Sequence, residues 1–497
     1  MSLAAALPAV AAAFAVTLVR IQVRRRLAPV RSAATRAWQP RDLVLALAVV
    51  GTALATRLIL LEARPIDNDE PVGLGIASLG AWAAETDSRL HPPLPALLMT
   101  WLGGATKIEA ARSVSVLAGT ASAAIAFAMV RGSAGRGPAF LAGLWLALMP
   151  AAIHTSQLAR GYALCAFGLI AAHACLEKAL ATGRERWFAL YSVAAALALT
   201  SEYWALPPLV ASATAASWSA RRHPTSLVGV IGSLGAALAL AAFFAPFALP
   251  TLWLGVGGGS HSPTGPLRAL SDAIALASGS AAPFNGLVAL GLVLAAARRR
   301  ALGRSELMAL AGIVAAVLTF LVASHTTAVR ARYLLPVVPL FVCVVAASAR
   351  GIGVAVLVGI ALGHAGLLPW YYAGTARGPE LSTGERTPLT LEMLRADPRA
   401  PVAVVPAWAI AEASYRLEGR FPDRDAGVGC PATLCVAGRR TIYGAAAGEV
   451  ADLTRHEGTL YVWLRAGQIP SDESCGVVLR EGGSTLLRCD ARTTGGD

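Results

Sequence analysis

The chain has 497 residues, 56% hydrophobic and 14% charged, with a mean hydropathy of +0.59 and a net charge of +13. A soluble domain carries about 25% charged residues, so a soluble enzyme is excluded and a polytopic membrane protein is expected. The positive charge is not a nucleic-acid footprint: residues 1–372 hold 28 Lys+Arg against 13 acids, and 373–497 hold 14 against 16. Nineteen of the 28 fall in short segments that share one side of the membrane, the positive-inside pattern.

In chain order, residues 3–19 are apolar and are followed by Arg20, Arg24, Arg25 and Arg26. That is the reverse of a signal peptide, and it reads as a first span or an N-terminal extension. Residues 20–41 carry seven Arg and no acid and are cytoplasmic. Further spans are expected at 42–61, 109–130, 138–153, 161–177, 187–200 and 205–220, then at 226–247, 282–297, 306–323, 334–349 and 352–372, about twelve in all. Arg57 lies about a turn from the outer end of its span, placed to snorkel or to face a cavity. The fold class is an all-α polytopic membrane protein with a small C-terminal α/β extracytoplasmic domain. Three regions follow: 1–41, a transmembrane domain 42–372 with its first outer loop at 62–108, and the domain 373–497.

The first outer loop concentrates acids. Six of the 13 acids before residue 373 lie between positions 62 and 87, among them Asp67, Asp69 and Glu70. Carboxylates beside an apolar span are costly, so a polar site is the expectation and a solvated loop the alternative. After them, His91-Pro-Pro opens a short helix in which Leu94, Leu97, Leu98 and Trp101 share a face. About eleven residues cannot cross a bilayer, so this helix is placed at the outer interface with Trp101 as its anchor; the start of the next span is the alternative. The same outer side receives three more polar corners: Gln157 to Tyr162, Ser201 to Trp204, and Arg330 to Tyr333.

Residues 373–497 read as α/β, with strands at 402–405, 460–464, 477–479 and 486–487, a helix at 407–417 and turns at 427–430 and 481–484. No catalytic motif is present there, and a lid or docking role is expected. Cys165, Cys175 and Cys343 lie in apolar runs as small core residues. Cys430, Cys435, Cys475 and Cys489 all fall in the tail and point to two disulfides with three possible connectivities. Their spacing fits a zinc site poorly.

The outer corners carry chemistry. A carboxylate can remove a proton from a reacting hydroxyl, and Asp69 and Glu70 offer two. Asp67 with Asp69 offers oxygen ligands for a divalent cation such as Mg or Mn. Arg160 and Arg332 suit phosphate, because the guanidinium fork matches its oxygens. His91 donates to a phosphate or caps the helix that follows it. Glu202, at a span end, is costly unless paired or hydrated. Tyr162 and Tyr333 serve as interface anchors or ligands.

These residues carry a resemblance. Asp69-Glu70 precede HPPL at 91–94 and Ala111-Arg112-Ser113. SQLARGYAL at 156–164, LALTSEYW at 197–204 and RARYLLPVVP at 330–339 follow. The order resembles the C-type (GT-C) integral membrane glycosyltransferases, in the group of bacterial protein O-mannosyltransferases and lipid A aminoarabinose transferases, whose motifs read approximately DE, HPPL, SQEARMY, YTHY and RYLLP. The resemblance covers about residues 42–350. It implies transfer of a sugar from a polyprenyl-phosphate carrier to a cell-envelope acceptor at the outer face of a bacterial inner membrane, with inversion. It further implies Asp69 as general base with Glu70 as its partner, and His91, Arg160 and Arg332 as phosphate contacts; Asp67, Gln157, Tyr162, Glu202 and Tyr333 are expected, from their places in the outer corners, as further substrate contacts. Two positions depart: Leu158 replaces a common Glu, and Glu202 replaces a common His, which moves one carboxylate to a neighbouring helix. A lipid or solute transporter is the rival reading, though it favours mid-membrane charges and paired halves that are not evident here. A non-catalytic, envelope-binding member of the same fold is the third.

Overall fold

The computed structural model describes residues 37–61, 70, 94–99, 101–102, 108–221, 223–242, 265–268, 271, 302–324, 331–349, 352–373, 389–396, 399–405, 413–414, 417, 434–437, 441–444, 449–457, 459–465, 475–481 and 484–490. The chain divides into two compact units, dominated by Arg112–Ser382 and by Thr383–Asp497.

The first unit is helical. In chain order the helices are α1 (Pro40–Leu58), α2 (Leu94–Met99), α3 (Ile108–Ala134), α4 (Arg136–Leu148), α5 (Pro150–Ser156), α6 (Gly161–Thr182) and α7 (Glu185–Ser201), with residues 96–111, at the end of α2 and the start of α3, grouped in the second unit. Then come α8 (Leu206–Ala220), α9 (Pro224–Ala242), α10 (Arg304–Ala323), a 3-10 helix Ala331–Val337, α11 (Val338–Ser348) and α12 (Ile352–Tyr372). Ten of the expected spans coincide with these elements; 3–19 and 282–297 lie outside the described residues. Among the described residues, five helices have the length and hydropathy to cross a membrane, and the bent pair α4–α5 makes a sixth. The others fall short for visible reasons. Helix α1 carries Arg41, Asp42 and Arg57, while α7 and α8 have 17 and 15 residues.

Proline and glycine set the local breaks. The stretch 138–153, expected as one span, bends by 59° between α4 and α5, because Pro150 has no N–H to continue the ladder. Gly183, with φ 65°, ends α6 in the left-handed conformation that a side chain disfavours. Close helix approach relies on small residues, as is usual in membranes: a Cβ on Gly168 would lie 2.8 Å from the Ala198 nitrogen of α7. At the end of the bundle where α1 begins, buried Asp42 accepts from Arg131 at 2.7 Å and from Arg136 at 2.6 Å, and Arg131 lies over Trp38.

The second unit adds helices α13 (Leu389–Ala396) and α14 (Val450–Glu457) and strands β1 (Val402–Val405), β2 (Leu434–Ala437), β3 (Thr441–Gly444), β4 (Thr459–Arg465), β5 (Cys475–Glu481) and β6 (Ser484–Asp490). The sheet order is β2-β3-β1-β4-β6-β5. Strand β1 is parallel to β3 and β4, and the other pairings are antiparallel. Successive residues of β1 feed opposite faces, so Ala403 and Val405 join one core and Val402 and Val404 the other. Of the expected helix 407–417, only residues 413–414 and 417 are described, and all three are helical. The expected turns lie outside the described residues, apart from the strand ends Glu481 and Ser484.

Cys475 and Cys489 face each other across β5 and β6 and form a disulfide. This bond removes two of the three connectivities and leaves Cys430–Cys435 as the only second pairing. Iodoacetamide labelling of the unfolded, unreduced protein is expected to modify Cys165, Cys175 and Cys343 and to spare Cys475 and Cys489. Modification of Cys475 before reduction would contradict the pairing.

Candidate functional site

The clearest polar cluster sits where α6 begins and α7 ends. These two helices run antiparallel in tight contact, and a Cβ on Gly161 would lie 2.3 Å from the Ser201 carbonyl oxygen. The missing side chain brings Arg160, the N-cap of α6, to the level of Glu202, the C-cap of α7. The Ser115 hydroxyl of α3 donates to the Arg160 carbonyl at 3.2 Å. Arg332 enters from the 3-10 helix, its guanidinium carbon 5.6 Å from the Tyr162 ring centre. Tyr333 stacks on Trp204 at 5.4 Å and lies 6.3 Å from Tyr162.

Arg160, Arg332, Glu202 and Tyr162 are all buried. Burial raises the pKa of the Glu202 carboxyl, at the corner outside the spans, and the Arg160 and Arg332 guanidiniums pull it back. The trio holds two cations and one anion. The Tyr162 hydroxyl is fully enclosed and has no hydrogen-bond partner among the described residues. An unsatisfied buried donor costs about 1–3 kcal/mol, so an acceptor brought to this point is favoured. Leu158 is buried and apolar, and the carboxylate beside Arg160 comes from Glu202 on the next helix instead.

Gln157 also braces the end of α1. Its amide nitrogen donates to the carbonyls of Arg57 (3.0 Å) and Ile59 (2.9 Å), and its oxygen accepts from the Tyr371 hydroxyl (2.9 Å). Arg112 donates to the Leu61 carbonyl at 2.8 Å, and the Tyr372 hydroxyl donates to the Thr56 carbonyl. These bonds strap the end of α1, where Leu60 takes φ 55°, a left-handed value uncommon without glycine. Gln157→Leu removes the hydrogen bonds to the Tyr371 hydroxyl and to two carbonyls. It is expected to cost about 1–3 kcal/mol, read as a lower thermal midpoint in detergent.

Arg57 does not snorkel. It is fully buried and donates to the Ser156 hydroxyl at 3.1 Å and to the carbonyls of Ala53 and Leu146. It faces a cavity of about 30 Å³ that Gly119, Ser122 and Thr155 also line. A Cβ on Gly119 would lie 2.8 Å from the Arg57 Nε, so glycine makes the room.

Asp67, Asp69 and His91 lie outside the described residues. Glu70 is helical and fully buried. The helix after His91-Pro-Pro is α2, and Pro95 within it lies 3.1 Å from where a Gly161 Cβ would sit. Pro95 thus lies at the start of α6, whose Gly161 is next in sequence to Arg160. Trp101 is exposed. Among the described residues, no group of three His, Cys, Asp or Glu is placed to hold a metal. Sequence reading passed over the bracing roles of Arg112, Ser115, Tyr371 and Tyr372; only Arg112 carried a signal, a charge opening an apolar run.

Residues 90–249 match the family described as Dolichyl-phosphate-mannose-protein mannosyltransferase. That segment contains Arg160 and Glu202. No curated protein matches the chain by sequence. The fold resembles that of ArnT from Cupriavidus metallidurans in the apo state, with TM-score 0.60 and 15% identity over 90% of this chain and 97% of that one. ArnT bound to undecaprenyl phosphate gives 0.61 and 13% over 92% and 100%. The Archaeoglobus fulgidus oligosaccharyltransferase AglB, in complex with an inhibitory peptide and a dolichol-phosphate, gives 0.50 and 10% over 86% and 69%.

Proposed function

We propose, from a chain with the fold of the C-type membrane glycosyltransferases, that it transfers a sugar from a polyprenyl-phosphate donor to a cell-envelope glycan, lipid or protein. The observation that carries this reading is the buried cluster of Arg160, Arg332 and Glu202, with an unsatisfied Tyr162 hydroxyl beside it. Two buried guanidiniums against one carboxylate suit an anionic phosphate, and the fold is shared with a protein seen with undecaprenyl phosphate.

In the proposed reaction the acceptor hydroxyl gives its proton to Asp69 as its oxygen bonds to the anomeric carbon. The carbon–oxygen bond to phosphate breaks on the opposite face, and its electron pair leaves with the polyprenyl phosphate. The sugar is inverted. Arg160 and Arg332, with His91, offset the charge on the leaving phosphate. Glu202 holds the two guanidiniums in place, Glu70 orients Asp69, and Tyr162 and Tyr333 line the sugar side. A divalent cation on Asp67 and Asp69 is the remaining element, tested by chelation and Mg or Mn restoration. The site and the C-terminal domain face the outside of a bacterial inner membrane.

The test is purified protein in lipid with a labelled polyprenyl-phosphate sugar and an envelope extract. Label in the extract with release of free polyprenyl phosphate is expected. Movement of labelled lipid or solute across sealed vesicles, with no transfer, would overturn the reading in favour of a transporter.

A further inference from the structure

At the end of α6 and α7 opposite the Arg160 cluster, a second set of charged side chains has no role in the proposed reaction. Along α6, Lys178 lies about 26 Å from Gly161 by helical rise. The turn from α6 to α7 carries Lys178, Arg184 and Arg186, all exposed, with Glu185 between the two arginines. None of the three cations is in an ion pair among the described residues. The Lys178 ammonium lies 4.5 Å from the Trp187 ring centre, and the Arg186 guanidinium lies 5.3 Å from it. One indole thus lies close to two cations.

The arrangement recurs nearby. Arg221 lies 4.4 Å from the ring centre of Trp218 at the end of α8 and donates to the Trp218 carbonyl at 3.0 Å. Helices α7 and α9 start at this same end and pack side by side. The Phe188 ring would lie 2.8 Å from a Gly229 Cβ, and the Ser192 hydroxyl donates to the Ser233 carbonyl at 2.9 Å. The two basic–aromatic turns therefore share one rim. Below it Leu190 and Val193 of α7 and Val228 and Ile231 of α9 are exposed.

We infer that this rim binds an anionic phospholipid, its headgroup phosphate held by Lys178, Arg184, Arg186 and Arg221 and its acyl chains lying along Leu190, Val193, Val228 and Ile231. Charge complementarity selects the occupant. A guanidinium stacked on an indole keeps its N–H edge free for phosphate oxygens. Trp is enriched at headgroup depth, and the aliphatic surface below excludes a soluble anion as the whole ligand. A zwitterionic lipid brings an ammonium that opposes the cations.

The test uses the full chain in mild detergent, titrated with phosphatidylglycerol or with phosphatidylcholine and read by thermal midpoint and by lipid retained in native mass spectrometry. Phosphatidylglycerol is expected to raise the midpoint and to be retained, and phosphatidylcholine is not. Each cation contributes about fivefold to affinity, so Lys178→Gln/Arg184→Gln/Arg186→Gln is expected to weaken retention roughly a hundredfold. Trp187→Leu, which keeps every charge, guards against misinsertion of the triple variant and is expected to weaken retention by a smaller factor. Equal shifts from both lipids, undiminished retention in the triple and Trp187 variants, or the same shift from inorganic phosphate alone would each overturn the proposal.

Discussion

Asp69→Asn is expected to lower sugar transfer by about 10²–10⁴-fold, the usual contribution of a general base. The amide matches the carboxylate in shape and can hold an acceptor hydroxyl, but it cannot take the proton at neutral pH. The loss therefore belongs in turnover, with donor binding little changed. Glu70→Gln separates the two acids. Glu70 is fully buried, so its replacement is expected to disturb the position of Asp69 and to lower the thermal midpoint as well. Measurement is single-turnover transfer of labelled sugar by the purified protein in lipid, with polyprenyl-phosphate binding measured in parallel. Undiminished transfer by Asp69→Asn removes Asp69 as the base and leaves the phosphate cluster standing. Loss of binding in that variant would instead make Asp69 a donor contact.

The long helices were legible because they are apolar runs punctuated by Arg, Pro and Gly, and a bilayer tolerates few alternatives. The bend at Pro150 was missed because periodicity does not distinguish a kinked span from a straight one. Strand β3 and helix α14 were missed for another reason. Each is short, and Ile442 and Val450 become core positions only once β1 and β4 lie beside them. At the site, Arg160, Glu202 and Arg332 stood out as charges at span ends. The straps on α1 were not legible. Gln157 and Tyr371 are 214 positions apart, and no local pattern says that an amide in an apparent substrate motif will turn to backbone carbonyls.

Removing the cations of the cluster separates their effect on folding from their effect on binding. Arg332→Gln leaves Glu202 in the field of Arg160, so the fold is expected to hold while polyprenyl-phosphate binding weakens by about 10–150-fold, the worth of one charge-assisted hydrogen bond. Arg160→Gln/Arg332→Gln leaves a buried carboxylate without a cation. That is expected to cost about 3–5 kcal/mol, read as a large drop in thermal midpoint, and to abolish binding. Adding Glu202→Gln removes the stranded charge, so the triple variant is expected to regain most of its stability without regaining binding. A cluster that only braced α6 against α7 would behave differently, since a triple variant with restored stability would also restore transfer. Recovery of the midpoint without recovery of binding thus distinguishes a phosphate grip from a structural salt bridge, and the reverse result would move the donor phosphate to another part of the bundle.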